Sequence, residues 1–502
     1  MEKTAQSLTQ PFEYPPFNNF QTADCTPAIQ ALIASAQADV SRIVGNPAPP
    51  SFENTLLPLS YLGIQLEEVS SLVFNLNSAE TTPELQAAAR DIAPLLTAFH
   101  NEIHFNEALF QRIQVVYNNR NSLKNPEWLR SLELTYRAFV RNGAGLAAEK
   151  QAKIKAIDEE LSLLGLRFSE HILNDINAFS LEINDPEELA GLPEHVIADA
   201  HQRAQSTGKT GWTLPLTAPV YTAVMSHAHS RHLRHTMALA WGQRGFQDNP
   251  NNNVAVLERI AQLRLERART LGFRTHADFV LQERMAEKPI RVTQFLEELL
   301  HQALPAAQKE WEKLGAFAQD SGHPGPLEAH DVAYYTERLK EATFQFSAEA
   351  LRPYFPLERV LESAFSVATK LYGLTFVQSQ DQPVYHPDVL TFEVKNSEGL
   401  TQAWLMADFF PRSGKRAGAW KTSYRKQMKT AHGRVLPIVS IVCNFTPASG
   451  DQPSLLTFEE VTTLFHELGH ALHSILADTE LPGLSGTQVY WDFVELPSQI
   501  ME

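Results

Sequence analysis

Apolar positions recur with a helical period over most of this chain. Ile29, Leu32, Ile33, Ala36, Val40, Ile43 and Val44 form one stripe, with Thr26-Pro27 ahead and Gly45 behind as start and stop signals. Ile154, Ile157, Leu161, Leu164 and Phe168 keep the 3.6-residue period on a long charged helix. From about 178 to 220 the pattern changes. Phe179-Ser-Leu-Glu-Ile alternates like a strand, and Thr207-Gly-Lys-Thr-Gly-Trp-Thr-Leu-Pro215 adds turn residues and a second short strand. Helical patterns resume over 250–320, and 390–447 is the most strand-rich stretch, with Val389-Leu-Thr-Phe-Glu-Val, Gln402-Ala-Trp-Leu-Met and Leu436-Pro-Ile-Val-Ser-Ile-Val. Thr457 and Glu460 then have capping-box spacing, and Val461, Leu464, Phe465, Leu468, Leu472 and Ile475 give one more apolar helix face. The pattern predicts a mainly α, multi-helical protein in two parts with a small β-sheet. We expect an N-terminal helical domain over 1–145, a mixed helix and strand junction over 146–220 and a further domain over 221–502.

The helix after Thr457 carries His466-Glu467-Leu-Gly-His470. Two histidines four residues apart lie about one turn apart on one helix face, so both imidazoles can reach one metal ion. Glu467, one step round the helix, then faces a water at the metal's open position and can take its proton. His466 and His470 are thus candidate metal ligands and Glu467 the candidate general base. The plain alternative is a helix surface with two ordinary histidines and a solvated carboxylate.

A catalytic zinc site needs a third protein ligand. His473 is on the same face, but seven residues along a straight helix is about 10 Å, whereas ligand atoms around tetrahedral zinc lie about 3–3.5 Å apart. Glu495, in Trp491-Asp-Phe-Val-Glu-Leu-Pro-Ser-Gln499, is the other candidate. It follows a connection containing Pro482, Gly483, Ser485 and Gly486 that can fold a second helix back on the first. Glu495 also reads as the carboxylate three residues after an Asp492 N-cap, and Pro497 disfavours helical geometry at Leu496. On spacing, both readings of Glu495 stay open.

His466-Glu-Leu-Gly-His-Ala-Leu-His473, Ser485-Gly-Thr and Asp492-Phe-Val-Glu-Leu-Pro-Ser-Gln-Ile-Met-Glu502 resemble the thimet oligopeptidase (M3) family of zinc metallopeptidases. Leu271-Gly-Phe273, Gly414-Lys-Arg-Ala-Gly-Ala-Trp420 and Ile441-Val-Cys-Asn-Phe-Thr-Pro447 are similar to segments upstream of the zinc helix in that family, and the likeness runs from about Phe12 to the end. The resemblance implies a zincin-type oligopeptidase fold with the catalytic residues in 221–502. It implies one Zn2+ held by His466, His470 and Glu495, with Glu467 as base. It implies oligopeptide substrates, such as proteolysis products or cleaved signal peptides, admitted by a deep channel. It also implies a further C-terminal helical portion carrying His and Tyr donors to the tetrahedral intermediate. The sequence stops at Glu502 without a helix stop signal, so that portion is expected to be missing here. Two expectations follow: a zinc-dependent endopeptidase acting on short peptides, or a catalytically impaired fragment that binds zinc and peptide.

Composition narrows the partners. With 42 basic and 58 acidic residues the net charge is −16, which disfavours nucleic acid and anionic membranes. Neither a signal-peptide core nor a long apolar span is present, so a cytoplasmic location is the default; a monomer is expected. Cys25 and Cys443 are too few for a disulfide framework, and Cys443 lies in an apolar run as a core residue. Near the predicted sheet, Gly418-Ala419 is a candidate for close backbone approach to a bound peptide or, equally, a tight turn. Arg412, Lys415 and Arg416 are expected as a solvated basic loop, with a peptide carboxylate as the alternative partner. His227, His229, His232 and His235 read as a polar helix and its preceding turn, since they lack carboxylate or cysteine companions for a second metal. Thr207-Gly-Lys-Thr210 lacks the glycine and strand of a phosphate loop. No Gly-x-Ser-x-Gly occurs, which removes support for a serine nucleophile.

Overall fold

The computed structural model describes residues 8–448 and 452–502. Its first part is a run of helices: α1 (Thr22–Val44), α2 (Ile64–Ala79), α3 (Pro83–His104), α4 (Glu107–Asn118), α5 (Pro126–Arg141) and the 31-residue α6 (Ala148–Ala178). Side-chain caps begin three of them, with Thr82, Asn106 and Asn125 accepting from backbone N–H groups of α3, α4 and α5. Helix α1 starts at Thr22, a turn before the expected Thr26, and Pro27 lies inside it. Gln21 is already extended and serves as N-cap, and proline's fixed φ is compatible with a helix.

Strands β1 (Leu181–Ile183) and β2 (Trp212–Leu214) pair antiparallel, Leu181 opposite Leu214. They share a core with α7 (Glu194–Ser206), α8 (Ala218–His227) and α9 (Arg231–Gly242). Thr207–Thr210 is the turn out of α7, with Gly208 at φ +72°. Helices α10 (Val254–Thr270), α11 (His276–Leu281), α12 (Pro289–Asp320), α13 (Ala329–Phe344) and α14 (Leu357–Tyr372) follow. The four histidines of 227–235 disperse. His227 Nε2 lies 3.7 Å from Glu349, His229 meets Tyr334 edge-on, and His235 packs against His330.

The remaining strands are β3 (Thr375–Ser379), β4 (Leu390–Lys395), β5 (Thr401–Asp408), β6 (Trp420–Arg425), the hairpin β7 (Met428–Thr430) and β8 (Gly433–Val435), and β9 (Ile438–Val442). Five form one sheet in the order β3-β4-β5-β9-β6. Only β5 and β9 run parallel, with Leu405 opposite Val439. The period of two sorts side chains between two cores. Ala403, Leu405, Ala407, Val439 and Ile441 face α14 and α15 (Phe458–Ile475), while Met406 and Ile438 join the core of α1, α2 and α3. Covered on both faces, every residue of β9 is buried. The N-terminal helices therefore brace the sheet that carries α15.

The basic loop after β5 is not solvated. Lys415 Nζ donates to Asp408 Oδ1 at 2.7 Å, Arg412 donates to both Asp408 oxygens at 2.9 and 2.6 Å, and both Asp408 and Lys415 are buried. Arg412 also bonds Glu80 and the Ala79 carbonyl at the end of α2. Arg416 stays exposed and stacks on Trp420. Cys443 is fully buried, as expected of a core residue.

Candidate metal centre

Helix α15 starts with a complete capping box. Thr457 Oγ1 accepts from the Glu460 N–H at 3.1 Å, and Glu460 Oε2 accepts from the Thr457 N–H at 2.8 Å. The other Glu460 oxygen takes both the N–H and the hydroxyl of Thr446, tying the exit of β9 to the helix start. Leu464, Leu468, Ala471, Leu472 and Ile475 lock one face of α15 into the sheet core. That burial leaves His466 and His470 on the opposite face, ring centroids 4.9 Å apart.

Glu495 sits at the break between two short helices. Helix α16 (Trp491–Val494) stops at Glu495 and α17 (Leu496–Met501) restarts with Pro497 in its first turn. The expected Asp492 N-cap does not form; Tyr490 occupies that position, and the Asp492 carboxylate accepts from the Met285 N–H instead. Close packing of α17 on α15 needs Gly469. A Cβ there would stand 2.7 Å from both Pro497 O and Ser498 Cα. Gly469→Ala is therefore expected to push α17 outward, carry Glu495 away from the histidines and weaken metal binding at least tenfold in a competition titration with a chromogenic chelator.

The donor atoms converge. Glu495 Oε2 lies 3.3 Å from His466 Nε2 and 3.1 Å from His470 Nε2, the separation that bonds of about 2 Å to a tetrahedral cation produce. These three residues are the only group of His, Cys, Asp and Glu among the described residues whose donors all lie within 4.8 Å of one another. Burial lowers the His470 pKa, favouring the neutral imidazole a metal requires. Burial pushes Glu495 up, but Ser498 Oγ at 2.7 Å and the two histidines outweigh it and keep the carboxylate ionised. His466 Nδ1 donates to Glu502 at 3.1 Å, which leaves its Nε2 lone pair free for a cation. Removing that partner by Glu502→Ala is expected to cost about 10–100-fold in metal affinity with the three donors intact, measurable by the same titration.

Glu467 is 5% exposed, and its Oε2 has no hydrogen-bond partner. Burial raises its pKa to about 7, with Glu495 adding to the shift while His466 and Lys421 oppose it. A buried, unpartnered carboxylate oxygen beside three converging donors is placed to accept a proton. His473 stays outside the cluster, its ring 6.5 Å from Phe493 and its Nδ1 unpartnered.

Sequence comparison brings the same segment into view. Peptidase family M3 matches residues 224–502, and oligopeptidase A of Escherichia coli (strain K12) is 35% identical over 502 residues, spanning 99% of this chain and 74% of that protein. The chain belongs to peptidase family M3. Two more relatives in the same range are dipeptidyl carboxypeptidase of E. coli (strain K12), 32% identical across 98% of this chain and 73% of its own length, and the probable cytosolic oligopeptidase A of Arabidopsis thaliana, 32% identical across 99% and 73%. This M3 protein is thus a peptidase with a mainly helical fold, and His466, His470 and Glu495 are its candidate metal donors. No helix among its described residues is long and apolar enough to cross a membrane.

Gly418 sits at φ +95° with open space where a Cβ would stand, a turn that glycine tolerates, and Ala419 leads into β6. Two neighbours of this M3 site have roles that spacing alone does not reveal, although Asn444 falls within the family-like segment Ile441–Pro447. Asn444 donates to the carbonyls of Arg416 and Gly418 and holds the turn before β6. Lys421, on β6, donates to Thr487 Oγ1 at 2.7 Å, and burial depresses its pKa to about 8. Such residues are recognised only once two remote segments meet.

Proposed function

We propose that this chain is a zinc-dependent endopeptidase that hydrolyses short, extended peptides. The observation that carries the reading is the convergence of His466, His470 and Glu495 beside the unpartnered oxygen of Glu467. Two imidazoles and one carboxylate are a donor set that suits zinc. When bound, zinc supplies Lewis-acid polarisation of the scissile carbonyl and a water acidic enough to react near neutral pH.

The chain's own groups supply the rest. Glu467 Oε2 accepts the proton from the attacking water and returns it to the leaving amine nitrogen. The Lys421 ammonium on the adjoining strand favours the carboxylate form of Glu467. Strand β6 is the last strand of its sheet, and no backbone group besides those of β9 bonds Trp420–Ser423 among the described residues. A substrate added to that edge is read through its backbone, which accommodates many sequences. The names of the oligopeptidase A relatives support short peptides as substrates, and we place the enzyme in the cytoplasm.

The test is hydrolysis of a quenched fluorescent oligopeptide blocked at both termini. Turnover that a chelator abolishes and one equivalent of Zn2+ restores is expected. Cleavage of only unblocked peptides, two residues from the carboxyl end, would replace the endopeptidase reading with the exopeptidase action named for the dipeptidyl carboxypeptidase relative.

A further inference from the structure

Helix α5 carries Arg130, Arg137 and Arg141 at intervals of seven and four residues, so the three guanidinium groups leave the helix from one face. That face meets the start of α16. The Tyr490 hydroxyl accepts from Arg137 Nη1 at 2.6 Å, and the Arg130 guanidinium lies 5.5 Å from the centre of the Tyr490 ring. Arg284, in the link between α11 and α12, comes to 5.8 Å from the centre of the Trp491 ring. Four arginines thus gather around one end of α16 in a chain whose net charge is −16.

Carboxylates engage only half of them. Glu283 lies 3.3 Å from Arg141 and Glu133 lies 4.0 Å from Arg130, while the Asp492 carboxylate accepts from the Met285 N–H. Arg137 and Arg284 have neutral partners among the described residues: the Tyr490 hydroxyl for one, the Glu283 carbonyl and the Trp491 ring for the other. Burial lowers the Arg141 pKa, and although Glu283 opposes the shift, Arg137 and Arg284 add to it by repulsion. Like charges are held together here, and an anion among them relieves that repulsion.

Position relates the cluster to the metal centre. Tyr490 is the N-cap of α16 and Glu495 its far end, five residues or about 7.5 Å of helix away. An extended peptide covers that distance in two or three residues. Tyr490 Oη accepts from Arg137 and so keeps its own proton to donate.

We infer that Arg137, Arg284 and the Tyr490 hydroxyl form an anion site that takes a carboxylate, supplied by an acidic side chain of the bound peptide or by a small free anion. The effect of that carboxylate on turnover rests on the peptidase reading above. The site itself rests on the arginines. An acidic residue seated there fixes the register of the peptide over the metal centre, a side-chain preference that a backbone-reading strand edge lacks.

The test is a series of blocked fluorescent peptides carrying Asp or its neutral isostere Asn at each of the three positions on either side of the cleaved bond. At one position Asp is expected to raise kcat/KM about tenfold or more over Asn, the effect of a hydrogen bond to a charged group. Arg137→Gln and Arg284→Gln should each bring that ratio toward one, whereas a general structural defect lowers both rates together. Acetate at constant ionic strength separates the sources. An Asp advantage assigns the site to the peptide, and acceleration of the Asn peptides by acetate, absent in both variants, assigns it to a free anion. Equal rates for Asp and Asn at every position with no acetate effect would overturn the inference, as would an advantage that persists in both folded variants. If no peptide is turned over, the peptidase reading fails by itself. Fluorescence anisotropy with the same peptides then decides the site: tighter binding of an Asp peptide, lost in either variant, sustains it, and equal Kd values unmoved by acetate sink it.

Discussion

Glu467→Gln is expected to leave the metal centre loaded and to lower kcat for peptide hydrolysis by about 10²–10⁴-fold, the range over which a positioned general base contributes. Glutamine keeps the length and planarity of the side chain, so the apolar face of α15 and the donors on either side are undisturbed. What changes is the atom without a partner. Glu467 Oε2 is buried and unbonded, and an amide oxygen at that place accepts a hydrogen bond without accepting a proton. Metal content by mass spectrometry and kcat measured on the same sample separate this from ligand loss. His470→Ala should lose metal and activity together, whereas Glu467→Gln should lose activity alone. Retention of wild-type kcat by the Gln variant would remove Glu467 from the chemistry and leave the triad as a metal site of another purpose.

How much of this arrangement is legible in the chain depends on how local each contact is. Helix α15 is legible almost whole, because its capping box, its apolar face and its histidine spacing are all set by residues within a few positions of one another. Glu495 is half legible: Pro497 marks the break, but no local signal tells a metal donor from a helix-start carboxylate. Gly469 is illegible. A glycine in mid-helix reads only as a weak point, and the need for it appears when Pro497 and Ser498 come within 2.7 Å of where its Cβ would be. The basic loop misleads for the same reason. Arg412 and Lys415 follow a strand and look exposed, yet Asp408, four and seven residues earlier, turns inward with them. The family likeness goes further than spacing at the metal centre, because it carries remote pairings that one sequence cannot encode locally.

Asp408→Asn is expected to destabilise the sheet by about 3–5 kcal/mol near neutral pH, the cost of removing one partner from a buried ion pair. Asp408 and Lys415 are both fully buried, and the Tyr385 hydroxyl donates to Asp408 as well. Burial raises the Asp408 pKa, but Arg412 and Lys415 prevail and hold it below the ordinary carboxylate value. Its stabilising contribution is therefore complete above the unfolded pKa of about 3.9 and is lost as pH falls through the lower folded value. Lys415 sets the other limit. Burial lowers its pKa to about 8 although Asp408 opposes the shift, so above that pH the wild-type pair is already weakened and the variant can bury a neutral amine. The difference in urea midpoint between wild type and Asp408→Asn should accordingly be widest between about pH 4 and 8 and narrow on both sides. A difference that is constant from pH 3 to 9 would mean that the aspartate acts through shape and hydrogen bonding alone. The same network fixes the end of β5, where Asp408 O accepts from the Cys443 N–H at 2.7 Å. Asn444, the next residue, clamps the turn into β6, so loosening Asp408 should also raise KM for peptides before the protein unfolds.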